Sequence, residues 1–579
     1  MGEKRGANLL IYRGTAIPCT APNPRFHLTP LRCAALAPLK RSPLGSSLHG
    51  EKLMKTKTII TVLLFAIILV SCAPAVTTVP TETVAPAVAA ISIETVIPTS
   101  TFTPVPTPTL TLAPPTSTIT PTPQPENIAD AKDLPVWINR FVRTYNGKIA
   151  IDGLELDVNQ LTDEILKNDD KFTVLKKVNQ TETFFLVING TPLAIREGNG
   201  QWREITPSII SSIYGIKFGY GGLLIGKDAD KYYFHKFTDN EKRAQIENSS
   251  IFVPGWGFAN STIMWPTLKE YGGTGDPGDW KRWNWEVPDS FFFALSKYDN
   301  EYENKTIRGG HIFWDGPDWY MSTALSAIRD EVLRTHDSQK QQQLKNAFLL
   351  YTEKTIQRYP QVDQWLVINE VLDNQGLIKQ DAWMESLGGE DFLVELLKTA
   401  QASNPKAQFM VNDFFVEFPG KKADGYYDMV KRLYDKGALR SSDIVGFQFH
   451  TSVRDPHFSD LAKAKSQLFN NWKRFVELGL KISITELDVS ANNSQSEIEN
   501  QAKIYGAIIE TVIQLQSEYP ESVDSVVTWG YSDDTSWLRN QVVENGGNEP
   551  DLHPLLWRDI NTPNPSFYEI MRVLYEQLP

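Results

Sequence analysis

From about residue 205 onward, short β-rich segments alternate with longer segments whose apolar residues recur at helical spacing, such as 390–403 and 424–437. The candidate strands of this region are 216–222, 250–256, 306–314, 364–372, 408–414, 443–450, 481–489 and 525–531. The alternation predicts an α/β fold, and this number of parallel strands favours a closed (β/α)8 barrel, or TIM barrel, over residues 205–579. An open doubly wound sheet is the alternative, but the chain lacks the Gly-rich first turn typical of that fold.

A smaller unit, residues 128–204, precedes the predicted barrel. Its stretch WINRFVRTY has a helical pattern, whereas IDGLELDVNQ and FFLVINGTPLAIREG alternate like strands. Asn189-Gly190 is a typical hairpin signal between two such strands. The sequence therefore predicts a small β-rich unit of unknown role. A carbohydrate-binding module, a packing cap on the barrel and a spacer are all open interpretations, and we favour the cap.

The first 127 residues have the composition of targeting and linker segments. Residues 54–72 combine two lysines, an apolar run and a final Leu-Val-Ser-Cys, which is typical of a bacterial lipoprotein signal peptide cleaved before Cys72. We expect lipid on the Cys72 sulfur and a secreted, membrane-anchored protein at the cell surface; a plain signal peptide with an incidental cysteine is the alternative. The Pro/Thr-rich residues 73–127 predict a disordered, semi-rigid linker. Residues 1–53 have no predicted fold, and one interpretation is an upstream start codon that the cell does not use.

Composition narrows the function classes. The 579 residues carry a net charge of -12, which argues against a nucleic-acid partner. All three cysteines lie in the first 72 residues, so no disulfide or thiolate metal site is expected downstream. No HExxH, GxGxxG or GxxxxGK[ST] motif is present, and we therefore expect no metal and no cofactor. We also expect a monomeric enzyme. The 15 Trp and 20 Tyr residues suit sugar stacking, although core packing explains most of them.

The segment ISITELDVS (482–490) places a carboxylate, Glu486, in a strand that is otherwise apolar. An unpaired buried carboxylate is costly, so Glu486 is either paired or functional. In a barrel, chemistry collects at the carboxyl ends of the strands, where this sequence has Asn369, Glu370, Asn412, Asp413, Gln448, His450, Glu486, Asp488, Trp529 and Asp533.

Two glutamates at opposite strands of one barrel mouth suit glycoside hydrolysis. One carboxylic acid protonates the leaving oxygen, and the other carboxylate attacks the anomeric carbon. Glu370 ends the fourth predicted strand and Glu486 lies in the seventh, while His450 is placed to keep Glu486 ionised. Asn369 is a candidate donor to the 2-hydroxyl of the sugar. Asp488 orients the nucleophile loop or caps a turn, and we favour the second, structural role.

The barrel region resembles glycoside hydrolase family 10, the endo-β-1,4-xylanase family of retaining (β/α)8 barrels. The similarity covers roughly residues 205–579, and the segments that carry it are WLVINEVL, MVNDF, GFQFH, ITELDV, TWGYSDDTSW and HPLLWRDINTPNPSFYEI. The resemblance implies that Glu370 is the general acid/base and Glu486 the nucleophile. It further implies a set of substrate-binding residues: Asn369, Gln448 and His450 at the cleavage subsite, Trp529 and Trp537 as its aromatic roof, and Trp314, Asn412 and His311 as additional candidates.

The sequence departs from the family pattern mainly on the side expected to hold the glycone. Met264 aligns where the family has a lysine, and Asp315 replaces a histidine. His311 is displaced by one position, which turns it to the other strand face unless a bulge corrects the register. Phe414 stands where a tyrosine is common. These departures touch the hydrogen bonds that set substrate specificity more than the hydrolytic residues.

Three functions follow from these features. The first is a surface lipoprotein that cleaves β-1,4 bonds of xylan or a related hemicellulose by double displacement. The second is a hydrolase of the same clan that acts on another β-glycan, as the changes at Met264 and Asp315 suggest. The third is a non-catalytic glycan-binding lipoprotein, against which the presence of Glu370, Glu486, His450 and Asn369 argues.

Overall fold

The computed structural model describes residues 148–151, 154–157 and 173–578, apart from 189, 199, 201–202, 223–244, 255–257, 299–304, 317–319, 545–550 and 561. Predictions for the signal peptide with Cys72, the linker and the WINRFVRTY helix lie outside these residues. Two strands, β1 (Lys148–Ile151) and β2 (Leu154–Asp157), pair antiparallel. Within the described residues, no helix has the length and apolar character that a membrane crossing requires.

An antiparallel sheet of four strands comes next along the chain: β3 (Thr173–Val178), β4 (Thr181–Ile188), β5 (Thr191–Glu197) and β6 (Arg203–Glu204). Strands β4 and β5 form the predicted hairpin, with Gly190 in the left-handed region at φ 76°. Phe185 and Leu193 of this sheet are buried in the same hydrophobic core as the barrel helices. The sheet and the barrel therefore share one core.

The predicted barrel is confirmed. Its strands are β7 (Lys217–Tyr220), β8 (Ile251–Phe252), β9 (Thr306–Trp314), β10 (Gln364–Asn369), β11 (Gln408–Asp413), β12 (Ile444–Phe447), β13 (His450–Ser452), β14 (Lys481–Ser490) and β15 (Val523–Thr528). They run parallel in the order β7-β15-β14-β12-β11-β10-β9-β8, and β13 continues the line of β12 alongside β14. Between β7 and β8 the ring is closed by Ser250, whose N–H donates to Phe218 O over 2.8 Å.

Helices follow the strands as the outer layer of the barrel. They are α1 (Pro207–Ser212), α2 (Asn260–Met264), α3 (Glu286–Tyr298), α4 (Thr323–Thr335), α5 (Ser338–Arg358), α6 (Ala382–Leu387), α7 (Glu390–Ser403), α8 (Lys421–Asp435), α9 (Leu461–Glu477), α10 (Gln495–Glu518), α11 (Trp537–Glu544) and α12 (Pro565–Glu576). A two-stranded ribbon, β16 (Trp557–Asp559) with β17 (Thr562–Pro563), precedes α12. Side-chain caps fix several starts: Asp337 accepts from the backbone N–H groups of Gln339 and Lys340 at α5, and Asp460 from that of Lys463 at α9.

A polar cluster fills the amino-terminal end of the barrel. The guanidinium of Arg308, 1% exposed, donates to Gln364, Ser483, Asp524 and Ser525 over 2.7–3.3 Å. Because these residues belong to β9, β10, β14 and β15, one side chain ties four strands together. This end of the barrel contributes to stability rather than to chemistry, which collects at the opposite face.

We predict that Arg308→Met destabilises the fold by about 2–4 kcal/mol, because it removes the buried hydrogen bonds that join four strands and leaves Lys217 as the only cation paired with Asp524 in the described residues. Urea unfolding of the full chain measures the change, with Arg558→Met, at an exposed arginine, as the matched control. A loss no larger than that of the control contradicts the prediction.

Candidate active site

The two predicted catalytic glutamates lie in the carboxyl-terminal half of β14 and directly after β10. Glu370 follows β10 directly, is partly exposed and has a positive φ of 58°. Glu486 lies within β14 and is 5% exposed. The positive φ of Glu370 is uncommon for a residue other than glycine, and such conformations are found repeatedly at active sites.

Side-chain amides connect the two carboxyl groups. Asn412 Nδ2, at the end of β11, donates to Glu486 Oε1 and to Asn369 Oδ1, both over 2.8 Å. Gln448 Nε2 donates to Glu370 Oε1 over 2.9 Å and lies 3.3 Å from Asn369 Oδ1. The predicted residues Asn369, Asn412 and Gln448 thus form one hydrogen-bonded layer that positions both glutamates.

Two histidines determine the charge state of Glu486. Burial by itself raises the pKa of this carboxyl, but the neighbouring His311 and His450 outweigh burial and lower the pKa to about 2. The His450 Nε2 atom is 3.3 Å from Glu486 Oε2, and His311 Nε2 is 4.0 Å from Oε1. Glu486 is therefore a carboxylate throughout the neutral pH range, as a nucleophile requires.

Asp488 hydrogen-bonds His450 at Nδ1, the ring nitrogen that does not face Glu486. Its Oδ2 accepts from His450 Nδ1 over 2.8 Å and from Trp537 Nε1 over 2.9 Å. Burial opposes the charged imidazole, yet Asp488 and Glu486 raise the pKa of His450 well above its usual value. Asp488 is thus a positioning residue of the site, a role that we ranked below a turn cap. The period of two along β14 is the signal that we missed, because Glu486 and Asp488 share one face.

His311 reaches the site through a β-bulge. Leu366 of β10 pairs with Gly310, whereas Ile368 pairs with Phe313, so β9 holds one extra residue there. Gly310 has φ 133°, and a Cβ atom at this position would lie 2.7 Å from Leu366 O. The bulge therefore corrects the register of the displaced histidine, so that His311 faces Glu486.

Aromatic rings surround the two histidines. Trp314 and Trp529 lie 5.6 and 6.5 Å from the His311 ring, and Trp537 lies 5.1 Å from the His450 ring, measured between centroids. Trp529 is 8% exposed, while Trp314 and Trp537 are partly exposed. All three predicted tryptophans thus border the same mouth.

The departures from the family pattern have different surroundings. Met264 is fully buried in the main hydrophobic core and offers the mouth no polar group. Asp315 is 4% exposed, and its backbone carbonyl accepts from Lys379 Nζ over 2.7 Å. The Phe414 ring lies 3.4 Å from Lys422 Nζ, so a cation, not a hydroxyl group, is its polar neighbour.

The described part of the chain contains no candidate metal-binding site. No group of three or more His, Cys, Asp or Glu side chains there has a geometry that could hold an ion.

The parallel (β/α)8 barrel has two glutamates at one mouth, the ionised Glu486 and the more exposed Glu370. This is the architecture of a glycoside hydrolase. The model of glycosyl hydrolase family 10 matches residues 283–573, about half of the chain. The chain belongs to this family.

Several proteins are similar to the chain. Endo-1,4-beta-xylanase A of Thermoanaerobacterium saccharolyticum is 28% identical over 246 residues, which cover 41% of this chain and 19% of that protein. Endo-1,4-beta-xylanase of Geobacillus stearothermophilus is 26% identical over 302 residues, 49% of this chain and 82% of the relative. The crystal structure of xylanase 10B from Thermotoga petrophila in complex with xylobiose has a TM-score of 0.49 and 20% identity, covering 66% of this chain and 100% of that one.

We predict that Asp315→Asn is more favourable to stability at pH 8 than at pH 4, when the variant is compared with the natural chain at the same pH. Burial, opposed by Lys379 and reinforced by Asp381, raises the pKa of Asp315 to about 7. The folded state therefore keeps this proton up to a higher pH than the unfolded state, with its pKa of about 3.9, and the natural chain loses stability between these two values. The asparagine does not titrate. From pH 4 to pH 8, the free energy of unfolding of the variant therefore rises by about 2–4 kcal/mol relative to that of the natural chain.

Urea unfolding of both chains at pH 4 and pH 8 measures this shift. Asp428→Asn, at an exposed position of α8, is the matched control. A difference between Asp315→Asn and the natural chain that is the same at both pH values contradicts the prediction.

Proposed function

We propose that the chain is an endo-acting, retaining glycoside hydrolase that cleaves β-1,4 linkages in xylan or a related hemicellulose. One observation carries the proposal: Glu370 and Glu486 share a hydrogen-bonded layer at one barrel mouth but differ in environment. Glu486 is buried against two histidines, whereas Glu370 is more exposed and its Oε1 accepts from the neutral amides of Asn369 and Gln448. Such an asymmetry assigns the acid and the nucleophile.

In the first step, the Glu486 carboxylate forms a bond to the anomeric carbon while the bond from that carbon to the glycosidic oxygen breaks. The proton of Glu370 passes to the leaving oxygen, so the departing sugar leaves as an alcohol. Asn412 and His450 hold the attacking carboxylate in place through its two oxygens. Asn369 Nδ2 donates to Glu370 Oε1 over 3.2 Å, and Asn369 is the proposed donor to the 2-hydroxyl as positive charge develops on the ring.

In the second step, Glu370 takes a proton from water, and the water oxygen attacks the anomeric carbon. The ester bond to Glu486 breaks, which regenerates the carboxylate beside its histidines. Two displacements at one carbon retain the anomeric configuration. The charged His450 stabilises the free carboxylate more than the neutral ester, so it favours release of the glycosyl group in this step.

The substrate assignment rests on the family and its named relatives. Several relatives carry the name endo-1,4-beta-xylanase, while another is called an exoglucanase. The aromatic border of Trp314, Trp529 and Trp537 suits the apolar faces of pyranose rings. Xylan or a related hemicellulose is therefore the proposed polymer.

We predict that Glu486→Ala abolishes release of reducing sugar from xylan, by a factor on the order of 10⁴, because no other group takes over as nucleophile. Assays on xylan, mannan, mixed-linkage glucan and cellulose measure the loss and the substrate class. Glu477→Ala, at an exposed glutamate of α9, serves as the control and keeps full activity. Activity of a folded Glu486→Ala protein equal to that of the natural chain sinks the hydrolase proposal.

We further propose that the enzyme is a lipoprotein anchored through Cys72 at the cell surface. The support is the sequence alone: two lysines, an apolar run and Leu-Val-Ser-Cys, followed by a Pro/Thr-rich spacer. Such a spacer gives the barrel reach from the membrane surface toward an insoluble polymer. The anchor and the hydrolase activity are independent proposals.

We predict that Cys72→Ser moves the protein from the membrane fraction to the medium of a bacterial host, because serine cannot form the thioether that carries the lipid. Incorporation of radiolabelled palmitate into the natural chain measures the modification directly. Unchanged fractionation of both chains, without label, points instead to a plain signal peptide.

A further inference from the structure

A residue with a strained backbone immediately precedes His450. Phe449 separates β12 from β13, is 1% exposed and has a positive φ of 65°. A bulky aromatic residue rarely adopts this left-handed conformation and keeps it only where the surrounding structure imposes it. The next residue carries the imidazole whose Nε2 atom lies 3.3 Å from Glu486 Oε2. The backbone of Phe449 therefore bears directly on the position of that imidazole.

The side chain of Glu417 holds the strained residue. Glu417 lies in the loop between β11 and α8, is 5% exposed, and its Oε1 accepts from the Phe449 N–H over 2.8 Å. One residue earlier, the Gln448 N–H donates to Asp413 O over 3.1 Å. The segment that joins β12 to β13 is thus attached to the end of β11 and to the loop that follows it.

Glu417 is itself fixed by a buried amide. Asn471 of α9 is 2% exposed, and its Nδ2 donates to the backbone carbonyls of Val416 and Glu417, both over 2.8 Å. Arg474 of the same helix hydrogen-bonds to Asn471 Oδ1. These contacts run from an outer helix to the Phe449 N–H, so the carboxyl group that accepts from Phe449 has a fixed backbone behind it.

The surroundings of Glu417 favour its neutral form. Burial raises the pKa of this carboxyl to about 7, against the lowering effects of the Phe449 N–H, its own N–H, His450 and Lys422. Tyr426 also interacts with Glu417 and stays neutral, because burial and neighbouring carboxyl groups raise its pKa well above the usual value. Below pH 7 Glu417 is therefore mostly the neutral acid, whose carbonyl oxygen still accepts from the Phe449 N–H. In that pH range the group contributes a hydrogen bond rather than a charge.

We propose that Glu417 is a positioning residue of the active site, which holds His450 against Glu486 through the backbone N–H of Phe449. The inference rests on the proposed function and extends its machinery into the loop after β11. Without this hydrogen bond Phe449 relaxes toward a negative φ, and the imidazole moves away from Glu486 Oε2. The pKa of Glu486 then rises, because one of the two histidines that lower it is displaced.

Two substitutions of Glu417 test the proposal by the pH profile of kcat/KM on the best glycan substrate. Glu417→Gln keeps an oxygen that accepts from the Phe449 N–H and resembles the neutral acid, so the acidic limb of the profile stays in place. Glu417→Met keeps the volume without the acceptor, so kcat/KM falls about tenfold and the acidic limb moves up by about one pH unit. Glu417→Asp, one methylene shorter, gives the same displacement should the methionine variant fail to fold.

Leu344→Ala is the control for lost stability, at a fully buried leucine of the outer helix α5. It lowers Tm because it leaves a cavity in the core, but it leaves the acidic limb where it is in the natural chain. A limb that moves as far in Leu344→Ala as in Glu417→Met overturns the proposal in favour of a general loss of stability.

Spectroscopy of His450 separates this proposal from the hydrolase proposal. The ring nitrogen resonances of His450 in the full chain, assigned by their loss in His450→Gln, are recorded at pH 5. A shift of these resonances in Glu417→Met but not in Glu417→Gln supports the positioning role even if the natural chain hydrolyses no glycan. Unchanged resonances and an unmoved acidic limb in Glu417→Met overturn the proposal while leaving hydrolysis intact. Equal changes in Glu417→Gln and Glu417→Met overturn the role of the hydrogen bond.

Discussion

The burial of one negative charge constrains the barrel mouth more than any other interaction. A carboxylate as enclosed as that of Glu486 costs several kcal/mol unless charged or hydrogen-bonding groups replace the water that it loses. Those groups come from three other strands: His311 from β9, Asn412 from β11 and His450 from β13. Because these strands are far apart in sequence, only the closed ring brings their side chains to one carboxylate.

The second carboxyl group has a contrasting environment. Glu370 is more exposed than Glu486, and its Oε1 accepts from the neutral amides of Asn369 and Gln448. Glu370 is the proposed acid/base, whereas the neighbouring histidines keep Glu486 ionised. In the proposed mechanism, acid and nucleophile are two similar side chains that differ in their surroundings alone.

Much of this architecture could be predicted from the sequence, because apolar segments and strand-end polar residues follow simple periodicities. Each of the eight candidate strands overlaps an observed strand, and Glu486 stood out as a polar residue in an apolar segment. Contacts that depend on local irregularity could not be predicted. The register shift that turns His311 inward depends on how β9 pairs with β10, and the left-handed backbone of Phe449 depends on its contact with Glu417. Neither feature produces a periodic pattern in the sequence.

The packing of the small sheet joins the two ends of the described chain. Lys176 Nζ of β3 donates to the carbonyl of Tyr575 in α12 over 2.8 Å, and Phe185 of β4 packs edge-on against the Tyr575 ring. The partners are separated by 399 positions. During synthesis, therefore, the sheet emerges long before the helix on which it rests, and its apolar face stays uncovered until α12 has been made. Cooperative folding of the whole domain, rather than strand-by-strand growth from the N-terminus, follows from this long-range contact.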